Sequence, residues 1–431
     1  MKYIILSLFI SVLLFGNASA QTILQALKKA YNTNVELKAE RENLIVSEQD
    51  LKITRSEYLP SATITTSKSQ EDTNKLTNQS GGDASINDVD PLSTSIKLEQ
   101  TLIDFGRGAD YQKKKIGIDL AKVKLLKKEQ DILYKAINAY SSLVAAKEKE
   151  EINKKNVELK ISQLETDRIR LERGEVKLSD VAQSESSLAG AEAKYIQSQN
   201  EVVTSKLNYE NVIGKIDLNT LQKSIQAIVN IPTSLESAIE LSKTNNHDIK
   251  VAELELKQAE KDITIAKSDL APTASLSLER SYTEDLSTTY DEREKDVLKA
   301  TVSWPFYSGG KKFATIDKNQ SIKTRQRLLL DNAVKTNLTE VTSAWANLQS
   351  SESFLNSVIA QVKAAEIANE GITAEYLSGA GSRSTLDVIQ SNSLLLNAQI
   401  SLANSERDYL LAQYNLLKSI GLLTGSYLNL K

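Results

Sequence analysis

Apolar positions follow two periods in this chain, and the change from one to the other divides it into elements. Over most of the length they recur at spacings of three and four, as at Ile132, Ala136, Ala139, Leu143 and Ala146, and again at Leu338, Val341, Trp345 and Leu348. Such stripes run along one side of an α-helix and pack helices at coiled-coil angles. Four short segments break the pattern. There Thr, Ser and Val are frequent, and apolar residues alternate: Ala62 and Ile64; Leu92, Ile96 and Leu98; Ala274, Leu276 and Leu278; Leu298, Ala300, Val302 and Trp304. A period of two separates the two faces of a strand. Each segment has about ten residues, the length of a tilted membrane-crossing strand.

These elements come twice in the same order. Ala26 through Pro60 match Ala238 through Pro272 at a constant offset of 212, so that "SEYLPSATIT" becomes "SDLAPTASLS". "EQTLIDFGRG" matches "SWPFYSGGKK" at an offset of 204, and Gly174, Asp180, Val181, Gln183 and Gly214 match Gly381, Asp387, Val388, Gln390 and Gly421 at 207. A duplication is therefore expected, with a first unit over 21–231 and a second over 232–431. In each, a first helix of about 37 residues ends at Pro60 or Pro272, and two strands follow around a polar loop (Ser67 to Asp90, Thr283 to Asp296). A long helix then runs from Gly106 to Gly174 or from Gly310 to Gly381, and a third runs to Gly214 or Gly421. No proline falls between Pro91 and Pro232 or after Pro305 to interrupt them. At 1.5 Å per residue the long helices reach roughly 100 Å, and the two shorter ones end to end would match that reach.

The strands separate this chain from an ordinary coiled coil. Alternation places one face on lipid and the other on water, and prolines sit at the strand borders, where a missing N–H matters least. Aromatic residues gather at the same borders: Tyr58, Phe105, Trp304, Phe306 and Tyr307, the membrane-interface belt. Four strands cannot close a barrel, so the open edges call for other subunits. Two copies would give eight strands and three would give twelve; the spacing alone leaves both open, along with a soluble sheet capping a helical bundle.

Composition narrows the function. The 53 basic and 56 acidic residues nearly cancel, leaving no basic footprint for nucleic acid. With no cysteine there is no disulfide, thiolate chemistry or cysteine metal site, and no cofactor motif is present. The single histidine, His247 in "KTNNHDIK", reads as a solvated surface residue, so no catalytic constellation is expected and the chain is read as no enzyme. Residues 1–20 read as a signal peptide: Lys2, an apolar Ile4 to Phe15 too short to span a bilayer, and Ala18-Ser19-Ala20 before a mature start at Gln21. A periplasmic adaptor, with one helical hairpin between β domains, and a structural coiled-coil envelope protein are the competing classes.

The duplicated "LP/AP" before a strand (Leu59-Pro60, Ala271-Pro272), "TLIDFGRG" and "WPFYSGGK", and the turns "GEVKLSDVAQ" and "GAGSRSTLDVIQSNSLLLNAQ" resemble the TolC-like outer-membrane efflux and secretion channels over nearly all of the mature chain. The resemblance implies a fold that is mainly α with a membrane β-barrel. It implies a homotrimer whose four strands per chain build a twelve-stranded barrel in outer-membrane lipid, above a helical tunnel in the periplasm. It implies partners: a periplasmic adaptor (membrane fusion protein) and an inner-membrane ABC or RND-type transporter, in tripartite efflux or type I secretion. It also implies a gate where the helices turn. Asp180 and Arg383 match an acidic and a basic member of the family's closing network. Asp387 and Gln390 match two aspartates of the narrowest ring, and Ser378 stands at the network's tyrosine, with Tyr376 two residues earlier. The turns at Gly174 and Gly381 would face the adaptor. The residue-level alternative for Asp180 and Asp387 is the capping of a helix's first turn.

Overall fold

The structure is a computed structural model, and it describes residues 22–71, 75, 77, 79–82, 89–224, 230–286, 290–378 and 383–430. The expected signal peptide and Gly381 lie outside these. In chain order the elements are α1 (Ile23–Thr33), α2 (Val35–Ser56), β1 (Ser61–Lys68), β2 (Leu92–Ile103), α3 (Arg107–Glu172) and α4 (Leu178–Val212). They continue with α5 (Leu235–Asn245), α6 (His247–Ser268), β3 (Thr273–Glu284), β4 (Glu292–Ser303), α7 (Lys311–Ser378) and α8 (Thr385–Ile420). The long helices have 66 and 68 residues; α3 lies between Gly106 and Gly174, and α7 begins just after Gly310. None of the described helices is long and apolar enough to cross a membrane.

The expected single first helix is instead two helices in each half. Asn34 and Asn246 stand at the breaks in extended conformation. Each closes the helix before it through its backbone N–H, to Ala30 or Ser242. Each also donates its side-chain amide to a last-turn carbonyl: Asn34 to Val212 at 3.1 Å and Asn246 to Ser419 at 3.0 Å. The Asn34 side-chain oxygen in turn accepts from Leu37 N at the start of α2. An asparagine can satisfy the orphan groups of both helix ends at once, so no proline or glycine is needed to stop the helix.

Contacts divide the chain into two compact units. One comprises residues up to 38, 128–246 and from 338 on, and holds the larger core. Here Ile23, Leu27, Leu133, Ile137 and Leu143 pack with Tyr140, Tyr209 and Tyr414, all fully buried. The segment after α8 returns onto this core with Leu423, Leu428 and Leu430. Of the expected stripes, Leu338 is the exception, at 48% exposed.

The other unit, 39–127 and 247–337, carries the sheet, in the order β1-β2-β3-β4 with every pairing antiparallel. β3 and β4 run further into the hairpin than expected. Their register reaches Glu284 opposite Glu292, so residues from Glu292 to Asp296, read from sequence as loop, are strand. Cross-strand charge pairing supports the extension: Arg280 lies 3.4 Å from Glu294 and 3.9 Å from Asp296.

Candidate functional site

Two regions match the sequence expectations, the helix tips and the sheet. At the first tip α3 ends in a left-handed glycine: Gly174 has φ +73°, Gly174 N donates to Leu171 O and Glu175 N to Arg170 O. This reversal caps the helix's last carbonyls. Asp180 then sits three residues past Lys177, whose backbone N–H donates to its carboxylate at 2.9 Å. The second tip repeats the device. Ser384 N and Oγ donate to Asp387 at 2.8 and 2.9 Å, and Asp387 N donates back to Ser384 Oγ. Both aspartates thus hold the first turn of an outgoing helix, α4 or α8, as the capping alternative requires. The Ser384 hydrogen bonds, backbone first, with Arg383 beside them, hold the Asp387 carboxyl below the usual range.

The basic residue of the expected network, Arg383, pairs within its own tip: its Nε lies 2.7 Å from Glu375 Oε2. Gln390 is exposed one turn along α8. Ser378 donates to the Glu375 carbonyl.

The bridge lies elsewhere. Asp167 of α3 is fully buried and gathers three donor groups: Tyr376 OH at 2.5 Å, Ser184 Oγ at 2.5 Å, and Gln163 Nε2 at 3.0 Å from each carboxylate oxygen. Because the Tyr376 hydroxyl donates to Asp167, the Thr385 hydroxyl 3.0 Å away donates to it. Arg170 stacks 4.4 Å above the Tyr376 ring and donates to its carbonyl. Burial, and then the Asp167 acceptor, raise the Tyr376 pKa. One carboxylate–phenol pair therefore ties α3, α4, α7 and α8 together behind the turns. Sequence reasoning missed Asp167. Its only local signal is an acid on the apolar side of α3, and its partner is 209 residues away.

In the half of the sheet nearer the helices the two faces differ, whereas toward the hairpin the same face that is apolar here carries Arg280, Glu284, Glu292, Glu294 and Asp296. Register puts Ala62, Leu98, Leu278 and Leu298 on one rung of one face, with Leu276, Ala300, Ala274 and Val302 beyond. These side chains find no protein cover: Leu298 is 71% and Val302 73% exposed. The opposite face presents Ser, Thr and charged residues. Tyr58, Phe105, Trp304, Phe306 and Tyr307 are all exposed at the strand ends nearest the helices. Trp304 Nε1 donates to the Leu270 carbonyl, and Arg107 lies 5.0 Å over the Tyr58 ring. His247, expected in solvent, is 4% exposed, with no hydrogen-bond partner for Nδ1.

Comparison with known proteins gives the same reading. The chain is 25% identical over 417 residues to the outer membrane efflux protein BepC of Brucella suis, covering 96% of this chain and 88% of BepC. It is 23% identical over 360 residues to the alkaline protease secretion protein AprF of Pseudomonas aeruginosa, covering 80% and 72%. Its fold superposes on the Campylobacter jejuni CmeC outer membrane channel with a TM-score of 0.81 at 16% identity, covering 93% and 85%. The family model described as outer membrane efflux protein matches residues 26–215 and again 238–422, one match for each pass through two shorter helices, a hairpin and two longer helices. With a sheet that bares apolar side chains and a long helix that turns back at Gly174, this chain belongs to the outer membrane efflux protein family.

Proposed function

We propose that this chain is one subunit of a homotrimeric conduit that passes cargo from an inner-membrane transporter of ABC or RND type, through a periplasmic adaptor, to the cell exterior. The outer-membrane channel role follows from the family, and channels of this family conduct without catalysing a reaction. The stoichiometry and the partners are the added step. One observation supports assembly with further copies: β1 and β4 both end the sheet with unpaired edges, and one sheet face is apolar and uncovered in the half nearer the helices, while the count of three and the partners follow the family resemblance. A single copy in lipid would leave those edge groups unsatisfied, and three copies close twelve strands into a barrel.

In this reading the two passes, 21–231 and 232–431, are a duplication, as the double family match supports. The five exposed aromatics ring the barrel at the lipid boundary. The tips near Gly174 and Gly381 meet the adaptor. Asp180, Arg383, Asp387 and Gln390 surround the periplasmic aperture, and the Asp167–Tyr376 tie holds each subunit's tip shut. BepC is named for efflux and AprF for alkaline protease secretion, so both cargo classes occur among relatives.

Purified mature protein tests this. The expected result is a detergent-dependent, heat-modifiable trimer that gives discrete conductance steps in planar bilayers. A monomer that stays in solution without detergent, as an adaptor or a coiled-coil envelope protein would, overturns it.

A further inference from the structure

Of the charged residues that the register brings into β4, Glu292, Glu294 and Asp296 fall on the face of Leu278 and Leu298, with Arg280 and Glu284 of β3, and Arg293 and Lys295 fall on the opposite face, which the conduit reading leaves unassigned. Ser61, Thr63, Thr65 and Ser67 of β1, Lys97 and Glu99 of β2, and Glu279 of β3 lie on the face opposite Leu278 and Leu298. Arg293, Lys295 and Lys299 of β4 lie there too. With the apolar face on lipid, this face lines the lumen. Its two carboxylates are both drawn to Lys97. Glu99 is ion-paired with Lys97 at 2.7 Å, and Glu279 is the Cα partner of Lys97 across the strand.

The three β4 cations have no such neighbour. They stand opposite Thr283, Ser281 and Ser277, and they form no ion pair among the described residues. Nor does barrel closure supply one. The strand that joins the free edge of β4 is β1 of the next subunit. Within its 61–68 span β1 presents on this face only the hydroxyls of Ser61, Thr63, Thr65 and Ser67. On this face the four strands carry four cations against two carboxylates, an excess of two positive charges per subunit that the proposed threefold axis repeats.

We propose that Arg293, Lys295 and Lys299 form an anion-attracting collar inside the barrel, so that the outer end of the conduit concentrates small anions. Lys299 lies between apolar rungs whose lipid backing focuses its field into the lumen, Arg293 and Lys295 lie further toward the hairpin, and the charges from all copies add where the pore is narrow compared with the screening length. The collar's sign is opposite to that of the aspartates at the periplasmic tips. The inference rests on the trimeric barrel reading.

The test is block of single channels in planar bilayers by inorganic tripolyphosphate, added to either chamber. Wild type should be blocked from the hairpin side and much less from the tip side. In Arg293→Gln/Lys295→Gln/Lys299→Gln the block should weaken by about tenfold, and the reversal potential in a KCl gradient should move toward cation preference. Thr65→Glu, which places a carboxylate on the strand beside β4, should shift both in the same direction without removing any cation. Absence of wild-type channels from folded trimer would count against the conduit itself. Normal channels that tripolyphosphate does not block, or that both variants leave blocked as in wild type, would overturn the collar alone.

Discussion

At the scale of single residues, the proposed gate puts the cost of opening a tip on Asp167. A carboxyl group without solvent contact depends on its donors, and Tyr376 is the one that reaches it from α7. Tyr376→Phe keeps the ring beneath Arg170 and removes only the hydroxyl, so the closed tip should lose about 1–2 kcal/mol. Single-channel recordings should show longer dwell at high conductance, with the trimer intact. An unchanged dwell distribution would leave the tie with a purely structural role. His247 gives a pH dependence. Burial first, then Lys250, pushes its pKa down from 6.5 to about 4. Between those values the unfolded chain binds a proton that the folded chain does not. The stability that neutral His247 supports is thus complete above pH 6.5 and is lost as the pH falls toward 4, by about 3 kcal/mol in all. Thermal melts in detergent between pH 7 and 4.5 should show this loss in wild type and a flatter profile in His247→Gln.

At the scale of elements, the glycines that end the helices are unequal. Gly174 has φ +73° in open space, so alanine there meets only the left-handed backbone penalty of about 1–2 kcal/mol. Gly421 has φ +91°, and a Cβ would stand 2.4 Å from the Asn245 carbonyl oxygen, against rigid backbone. Gly421→Ala should therefore destabilise the protein well beyond Gly174→Ala, measured as the loss of helical circular dichroism on heating. The same sites show what was legible in sequence. Helix ends were readable because glycine and proline stop helices by backbone geometry that a reader can recognise. The breaks at Asn34 and Asn246 were not, because asparagine is tolerated inside helices and here its local caps are joined by side-chain bonds to carbonyls of distant helices. Asp180 and Asp387 could be read as caps from their position after a turn, whereas Asp167 became significant only once folding brought Tyr376 to it. The hairpin ends of β3 and β4 were read as loop because charge is a poor strand signal, and cross-strand pairing overrode it.

At the scale of the whole molecule, the conduit reading makes the tips and the barrel separable. Asp387→Ala with Gln390→Ala should reduce cation selectivity in planar bilayers and leave tripolyphosphate block from the hairpin side unchanged. Unaltered selectivity would confine Asp387 to its capping bond with Ser384. The open rims of the sheet have a further consequence. Because β1 and β4 each lack a neighbour within the chain, membrane entry and assembly cannot be separate events, and the supply of working ducts should rise more steeply than the supply of polypeptide. In the proposed trimer one defective rim also spoils a whole ring. In a cell making sound and rim-damaged copies in equal amounts, only about one ring in eight would be free of damage, so a lesion in β1 or β4 should behave as a dominant poison rather than a recessive loss.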